Sequence, residues 1–452
     1  MPATRRAFLA TAASYSRILG ANDKVSLGFI GCGLIGLRHI ADFKTFPDVR
    51  MAAVCDIYQA RIDYAKQQSG ADPATYSDFR KLLENKSIDA VVISTPDHWH
   101  ALQTIMACAA GKDVYVEKPM TLFIREGRWM TTAARRFNRI VCVGTQGRSA
   151  THMKEVWPLI DNHAAGNIHS VRFSSYRNIM PGFGRPADCP PPPGLDYDLW
   201  LGPAPQRPYN PNRCLYHFRW FWDYSGGQMT NLSAHHMDLV HYLMKAKAPE
   251  SVYCAGGRYA LQDNGETPDT QDAIWQYPGL TIECSIREAG GTASRRGTGG
   301  LASSLAGVQF IGTQGILAVS RGGYEFAPDM KIVPESAIPK WSTPPGHPVA
   351  AEGKPAPYGE PRRGQGSSPE PIDVHSRHFI DCLKSRQRPV ADVEDGHRVS
   401  IACHLANLSM KLGRQLKWDA AKEDVVNDRE ASALLTRPYR KPWDQVLRSF
   451  NL

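Results

Sequence analysis

Long apolar runs are missing from this chain of 452 residues: none could cross a bilayer as a helix, so no membrane span is expected. Cysteine is sparse, with 10 residues and no C-x-x-C pair. That excludes paired-cysteine zinc ribbons and argues against a disulfide framework. Cys32, Cys55, Cys142 and Cys284 lie in or beside apolar runs, where cysteine acts as a small hydrophobe. No cluster of His, Cys, Asp and Glu has metal-ligand spacing, and no metal is expected. Internal repeats and nucleic-acid-binding motifs are lacking too. Neither sign of charge dominates locally. The 53 basic and 44 acidic residues leave +9, scattered along the chain. Such an excess reads as a solvated surface that favours anionic ligands, not as a nucleic-acid partner site.

What is present is a globular composition, 42% hydrophobic and 21% charged, on a chain too long for one ordinary core. Two domains are expected. The central stretch is Lys24 to Ile40, KVSLGFIGCGLIGLRHI. A buried-strand run, Val25 to Ile30, meets Gly31, Gly33 and Gly36 in G-x-G-x-x-G spacing, and a helical pattern follows at Leu34 and Ile35. The first glycine allows the tight turn. The second lets backbone approach a pyrophosphate, and the third lets helix pack close to strand. The free N–H groups of the helix start suit a phosphate. A second apolar run ends at Asp56, 20 residues beyond Gly36, where an acid accepts hydrogen bonds from an adenosine ribose. NAD is therefore the expected cofactor. Arg61, five residues on, keeps NADP open.

From Lys24 to Gln146, apolar runs at Val25–Ile30, Val49–Cys55, Ala90–Ser94, Val114–Val116 and Ile140–Val143 alternate with helical patterns. Continuous apolar strands between helices predict a doubly wound parallel sheet covered on both faces. Ligands bind at the carboxyl ends of such strands. The residues to inspect there are Thr95, Pro96 and His98, then Glu117, Lys118 and Pro119, then Gln146.

After Gln146 the pattern changes. Residues 151–167 predict a helix and Val171–Tyr176 a strand. A long proline- and aromatic-rich loop, Met180 to Tyr224, follows; its aromatics either bind a sugar ring or fill a core. Ser225 to Met244 predicts a helix entered through glycines, with Asn231 and His235 four apart on one face. Two hairpins, at Pro278-Gly279 and at Gly312 to Gly315, predict an antiparallel sheet. Helices at His375–Leu383 and Asp395–Leu412 are expected to close an α+β second domain of residues 147–418. The tail, 419–452, has no clear period.

At the other end, TRRAFLATAA (Thr4 to Ala13) resembles a twin-arginine export signal, although Ser14 to Arg17 interrupt its apolar stretch. Residues 1–22 are set aside as that segment, which implies a periplasmic or exported protein. The alternative is an ordinary basic terminus on a cytoplasmic one.

Lys118 follows an apolar strand at its carboxyl end. Beside a cationic nicotinamide its pKa should fall, because like charge disfavours the protonated form. It could then take the proton of a substrate hydroxyl. The tertiary Lys118–Pro119 amide permits a cis bond. On spacing alone, a surface Glu–Lys pair is the favoured explanation of these residues.

GFIGCGLIG, VCD at 54–56, STPDHWH at 94–100, AGKDVYVEKP at 110–119 and GGQMTNLSAHHMD at 226–238 together resemble the Gfo/Idh/MocA family, the glucose–fructose oxidoreductase and inositol dehydrogenase group. The resemblance runs from Lys24 to about Leu412. It implies a nucleotide-binding first domain, an open and mainly antiparallel sheet in the second, and an active site between them. It also implies homodimers or homotetramers and sugar, cyclitol or glycoside substrates. Lys118 matches the family's EKP lysine and His235 its helix histidine, both handling the proton. Asn231 stands where many members carry an acid; as an amide it orients by hydrogen bonds. His236 points elsewhere. The loop holding His98 and His100 is implied to lie near the nicotinamide.

The leading expectation is an NAD-dependent oxidoreductase acting on a sugar or cyclitol hydroxyl, or on the matching carbonyl. A second is a redox-neutral glycosidase that oxidises, eliminates and returns the hydride, which suits an exported protein without free NAD. A third is a non-catalytic NAD-binding sensor.

Overall fold

A computed structural model describes residues 23–290, 307–331, 356–368 and 370–452. The twin-arginine-like segment lies outside the described residues.

Six strands form the first sheet: β1 (Val25–Ile30), β2 (Val49–Cys55), β3 (Ala74–Tyr76), β4 (Ala90–Ile93), β5 (Asp113–Val116) and β6 (Val141–Val143). Their order is β3-β2-β1-β4-β5-β6 and all pairs are parallel. β1, β4, β5 and β6 are buried along their whole length, as the unbroken apolar runs require. The chain leaves β1 towards β2 on one side and later returns to β4 on the other. That reversal opens a crevice at the carboxyl ends of β1 and β4. β3 escaped the sequence reading because it is short and largely exposed.

The second sheet has ten strands: β7 (Ile168–Tyr176), β8 (Ser251–Gly257), β9 (Thr270–Tyr277), β10 (Leu280–Arg287), β11 (Val308–Gly312), β12 (Gly315–Val319), β13 (Gly323–Pro328), β14 (Arg362–Gln365), β15 (Leu416–Asp419) and β16 (Asp424–Val425). Its order is β14-β13-β12-β11-β7-β10-β9-β8-β15-β16, and β7 with β10 is the one parallel pair. Both predicted hairpins are present, as β9–β10 and β11–β12. β9 and β10 alternate strictly between buried and open residues, so the sheet has one dry face. Val171, Ile282, Trp275 and Phe310 lie on it, against helices Ser233–Leu243 and Val393–Leu412. The opposite face carries the register row Tyr253, Ile274, Glu283 and Arg172.

Three expectations change. The helix read across 225–244 is two, Gly227–Asn231 and Ser233–Leu243, broken at Leu232. The helix Ile372–Ser385 does not cap the second sheet. Its Phe379, Ile380 and Leu383 join Val25, Leu27 and Phe43 of the first layer, while Arg377 and Lys384 pair with Asp48. The aperiodic tail is also structured. Tyr439, Trp443 and Phe450 complete the core around Phe79 and Trp99. Continuity along the chain grouped the helix Ile372–Ser385 with the second domain and left the tail apart. The helix's apolar face and the end of the tail belong to the first layer, while Val425, Ala431 and Leu435 of the tail enter the second-layer core. The long loop encloses a small core of its own, with Trp200, Trp220, Phe221 and Tyr224 inside. Most of its aromatics therefore fill space.

Candidate active site

One cavity of about 510 Å³ runs from the glycine loop after β1 to the broken helix of the second layer. At its first end Gly31 adopts φ +89°, and a Cβ there would lie 2.8 Å from the Ser94 and Thr95 backbone. At Gly36 a Cβ would fall 2.0 Å from the Gly31 carbonyl. These two positions need glycine for the fold itself. At Gly33 a Cβ would meet only the Arg61 guanidinium, at 3.5 Å, so glycine here is not demanded by packing. Its bareness leaves backbone open to the cavity, the cradle a pyrophosphate needs. Leu34 and Ile35, at the start of the helix, also line the cavity.

Asp56 ends β2 with its carboxylate turned inward. Oδ2 accepts from the Cys32 N–H (2.7 Å) and Oδ1 from the Tyr58 N–H (3.0 Å). Burial raises its pKa, against Arg61 and the backbone donors. The carboxylate is oriented before any ribose arrives. This open glycine, oriented acid and free helix start suit a dinucleotide.

At the other end, the Lys118 ammonium donates to Asn231 Oδ1 (2.9 Å) and to the Asn231 carbonyl (3.2 Å). The Lys118–Pro119 peptide is cis. Asn231 Nδ2 donates to Gln228 Oε1 (3.1 Å), and Gln228 donates to the buried Glu288 (2.8 Å). That chain fixes which way the Asn231 amide faces. Asn231 thus holds the lysine, the group on which its orienting amide acts here. Burial first, then the charges of Arg219 and Arg321, lower the Lys118 pKa to about 8, although Glu117 opposes them. Burial alone would raise Glu117. Its hydrogen bond to His39 (2.7 Å) and the charge of Lys118 outweigh that, and the carboxyl lies below its usual range.

His235 lines the cavity half-buried. Burial, then the charges of Lys118 and Arg321, hold its pKa well below the usual imidazole value. His236 turns to the sheet and packs on Phe173, as expected. Gln146 also faces the cavity, donating to the Gly144 carbonyl (3.0 Å) and accepting from Arg321 (3.2 Å).

The loop after β4 divides. Thr95 and Pro96 line the cavity and His98 does not. Its Nε2 donates to the Trp200 carbonyl (2.9 Å) and its ring lies against Trp200 and Tyr224. His98 is a core residue, the second of helix Asp97–Ala109 and fully buried against the long loop. His100 is clasped between the Pro119 and Thr95 carbonyls, 2.7 Å from each, and joins the two cofactor-side loops. Asp97 lines the cavity and accepts from the Ser225 hydroxyl (2.5 Å); burial raises its pKa. Tyr216, one of the loop aromatics, lines it too, and so do Arg219 and Arg321, which the sequence did not single out.

The sequence matches two Gfo/Idh/MocA descriptions: the oxidoreductase family's NAD-binding Rossmann fold over residues 25–145, and its C-terminal alpha/beta domain over residues 180–256 and 363–445. It is 25% identical over 249 residues to the myo-inositol 2-dehydrogenase of Thermotoga maritima, spanning 55% of this chain and 63% of that protein. A glycosyl hydrolase family 109 protein of Shewanella baltica is 39% identical over 112 residues, 23% of this chain and 24% of that protein. The chain thus aligns with less than two thirds of either relative. Among solved structures, levoglucosan dehydrogenase in complex with NADH and levoglucosan shares the fold, with a TM-score of 0.63 at 16% identity, covering 87% of this chain and 99% of that one. Two matched regions in family order, an NAD-binding doubly wound layer and a C-terminal α/β layer, place this chain in the Gfo/Idh/MocA family of oxidoreductases.

Proposed function

We propose that the protein oxidises a hydroxyl of a sugar or cyclitol, or reduces the matching carbonyl, with NAD. One observation carries this reading: the glycine loop and a lysine of lowered pKa share one cavity. When bound, NAD accepts or returns the hydride. In the oxidising direction, neutral Lys118 takes the hydroxyl proton while the carbon gives up its hydride; the alcohol becomes a carbonyl and Lys118 an ammonium. Asn231 holds the lysine nitrogen for this transfer. His235, kept neutral, is the second group able to hold the proton. The sugar-class reading is supported by inositol and levoglucosan dehydrogenases among the similar proteins. Homodimers or homotetramers form in this reading through the open sheet face.

The second reading, redox-neutral cleavage of a glycoside, is favoured by the 39% identity to a glycosyl hydrolase family 109 protein. One assay separates the two. Purified protein with NAD is given free sugars, cyclitols and aryl glycosides, and reduced-nicotinamide absorbance is followed with aglycone release. Persistent reduction supports the dehydrogenase; aglycone release without net reduction supports the glycosidase. Lys118→Met should lower either rate by about 10²- to 10⁴-fold, the usual worth of a positioned acid–base group, while NAD still binds. Unchanged turnover would remove Lys118 from the chemistry.

A further inference from the structure

Arg219 stands apart from the partly buried arginines of its layer; the exposed Arg185, Arg362, Arg363 and Arg429 make no ion pair among the described residues either, but solvent covers them. Arg177 meets Glu288, Arg258 meets Asp263, Arg287 meets Asp272 and Arg437 meets Asp223. Arg219 makes no ion pair among the described residues. It lies on the short helical turn His217–Trp220 and projects into the cavity that holds Lys118. Nη1 donates to the Tyr216 carbonyl (2.8 Å), and the guanidinium lies 5.2 Å from the Tyr216 ring and 4.7 Å from the Phe218 ring. These contacts fix the group without neutralising it, and leave a donor edge for something else.

No carboxylate in its surroundings pairs with it directly. Asp97 lines the same cavity and feels the Arg219 charge, but its carboxylate accepts from the Ser225 hydroxyl and forms no ion pair with Arg219, and Lys118 is a further cation. Arg321 brings positive charge to the same cavity, shared with Glu370 at 3.5 Å and with the Gln146 amide. A half-buried, oriented and unneutralised arginine is costly unless an anion completes it. Arg61 is not its equivalent, since it lies beside Gly33 at the glycine-loop end.

We propose that the substrate carries an oxyanion, as an acidic sugar such as a uronate or aldonate does, and that Arg219 receives it while Arg321 adds charge at the same end. The fork of a guanidinium matches the two oxygens of a carboxylate in one plane. The group would fix which hydroxyl reaches Lys118. This rests on the dehydrogenase reading for the chemistry but not for the binding, and the two separate experimentally.

The test uses the full chain with NAD and matched pairs: galactose with galacturonate, glucose with glucuronate and gluconate, and glucose 6-phosphate and galactose 6-sulfate as further arms. Nicotinamide reduction and calorimetric binding are both recorded. The acid is expected to exceed its neutral partner in kcat/KM and in affinity by about 10- to 100-fold, the range of a hydrogen bond to a charged group. Arg219→Gln should collapse that ratio towards one, mainly through KM. Arg219→Lys should restore part of it, and Arg321→Gln should lower it by less. The KM of the acid should rise with salt. Equal turnover of acid and neutral sugar, or an unchanged ratio in Arg219→Gln, overturns the proposal and leaves the dehydrogenase intact. Acid-selective binding without reduction keeps Arg219 and removes the hydride reading. Preference for the phosphate or sulfate keeps the oxyanion and replaces the carboxylate. No binding or reduction of any acid overturns the proposal outright.

Discussion

At the scale of single residues, Lys118 sets a pH dependence whose sign can be worked out. Its pKa is about 8, lowered first by burial and then by Arg219 and Arg321. As a base in oxidation it must be neutral, and the neutral fraction grows as pH rises through that value. The oxidation rate should therefore climb about tenfold per pH unit below the break and level off above it. Reduction needs the ammonium and should fall over the same range. A bound cationic nicotinamide would move the break lower still. Steady-state profiles in both directions check this, and Lys118→Met should flatten them. His235 cannot supply that limb, because burial and the same cations keep its imidazole neutral throughout. Part of this site was legible: the glycines and Asp56 occupy a strand-to-helix turn and a strand end that pattern locates, whereas Lys118 and Asn231 were singled out by the family resemblance. Arg219 and Arg321 were not legible, since nothing in a four-residue turn or in a strand-end arginine tells which way its side chain points. His98 was misplaced for the same reason.

At the scale of elements, the β1 turn contains glycines of two kinds. At Gly36 an added methyl meets backbone at 2.0 Å, and the strand and helix must part. At Gly33 it meets only the end of a flexible arginine. Gly36→Ala should cost about 1–3 kcal/mol of stability or prevent folding. Gly33→Ala should leave the melting transition nearly unchanged. By obstructing a charge-assisted backbone hydrogen bond worth about 1.5–3 kcal/mol, it should weaken NAD by about 10- to 100-fold. Thermal melts and NAD titrations of both variants decide; equal stability losses would deny the distinction. Strands with continuous apolar runs were readable from sequence, and so were the hairpins with Pro-Gly or Gly-x-x-Gly turns. The break at Leu232 was not, because apolar positions on both sides keep helical spacing across it. It places Asn231 and His235 on separate helices that still line one cavity.

At the scale of the whole molecule, the two layers are held together by charged as well as apolar contacts. Arg128 of the first layer pairs with Glu394 and Glu423, and His397 also meets Glu423. The second sheet keeps one face open. Tyr253 and Ile274 are 49% exposed there, and Tyr176 43%. If copies pair through this face, light scattering should give a mass of two or four chains. Charges placed in the middle of the row, as in Tyr253→Asp with Ile274→Asp, should return it to one. A single-chain mass for the unaltered protein would remove the pairing. Domain limits were the least legible feature, because a segment's sequence position does not tell which core its apolar side chains enter.

The closing helix, Trp443–Arg448, has a consequence for biosynthesis. Trp443 packs on Phe79 and Trp99, and Tyr439 donates to the buried Glu126 (2.7 Å). The nucleotide-binding half is translated early, yet these partners leave the ribosome more than 300 residues after Phe79 and Trp99. That half waits, with part of its interior uncovered, until Tyr439 and Trp443 have been made. A stop codon ahead of Tyr439 would uncover Phe79 and Trp99, which line the cavity, and would damage the cofactor site it leaves intact in sequence.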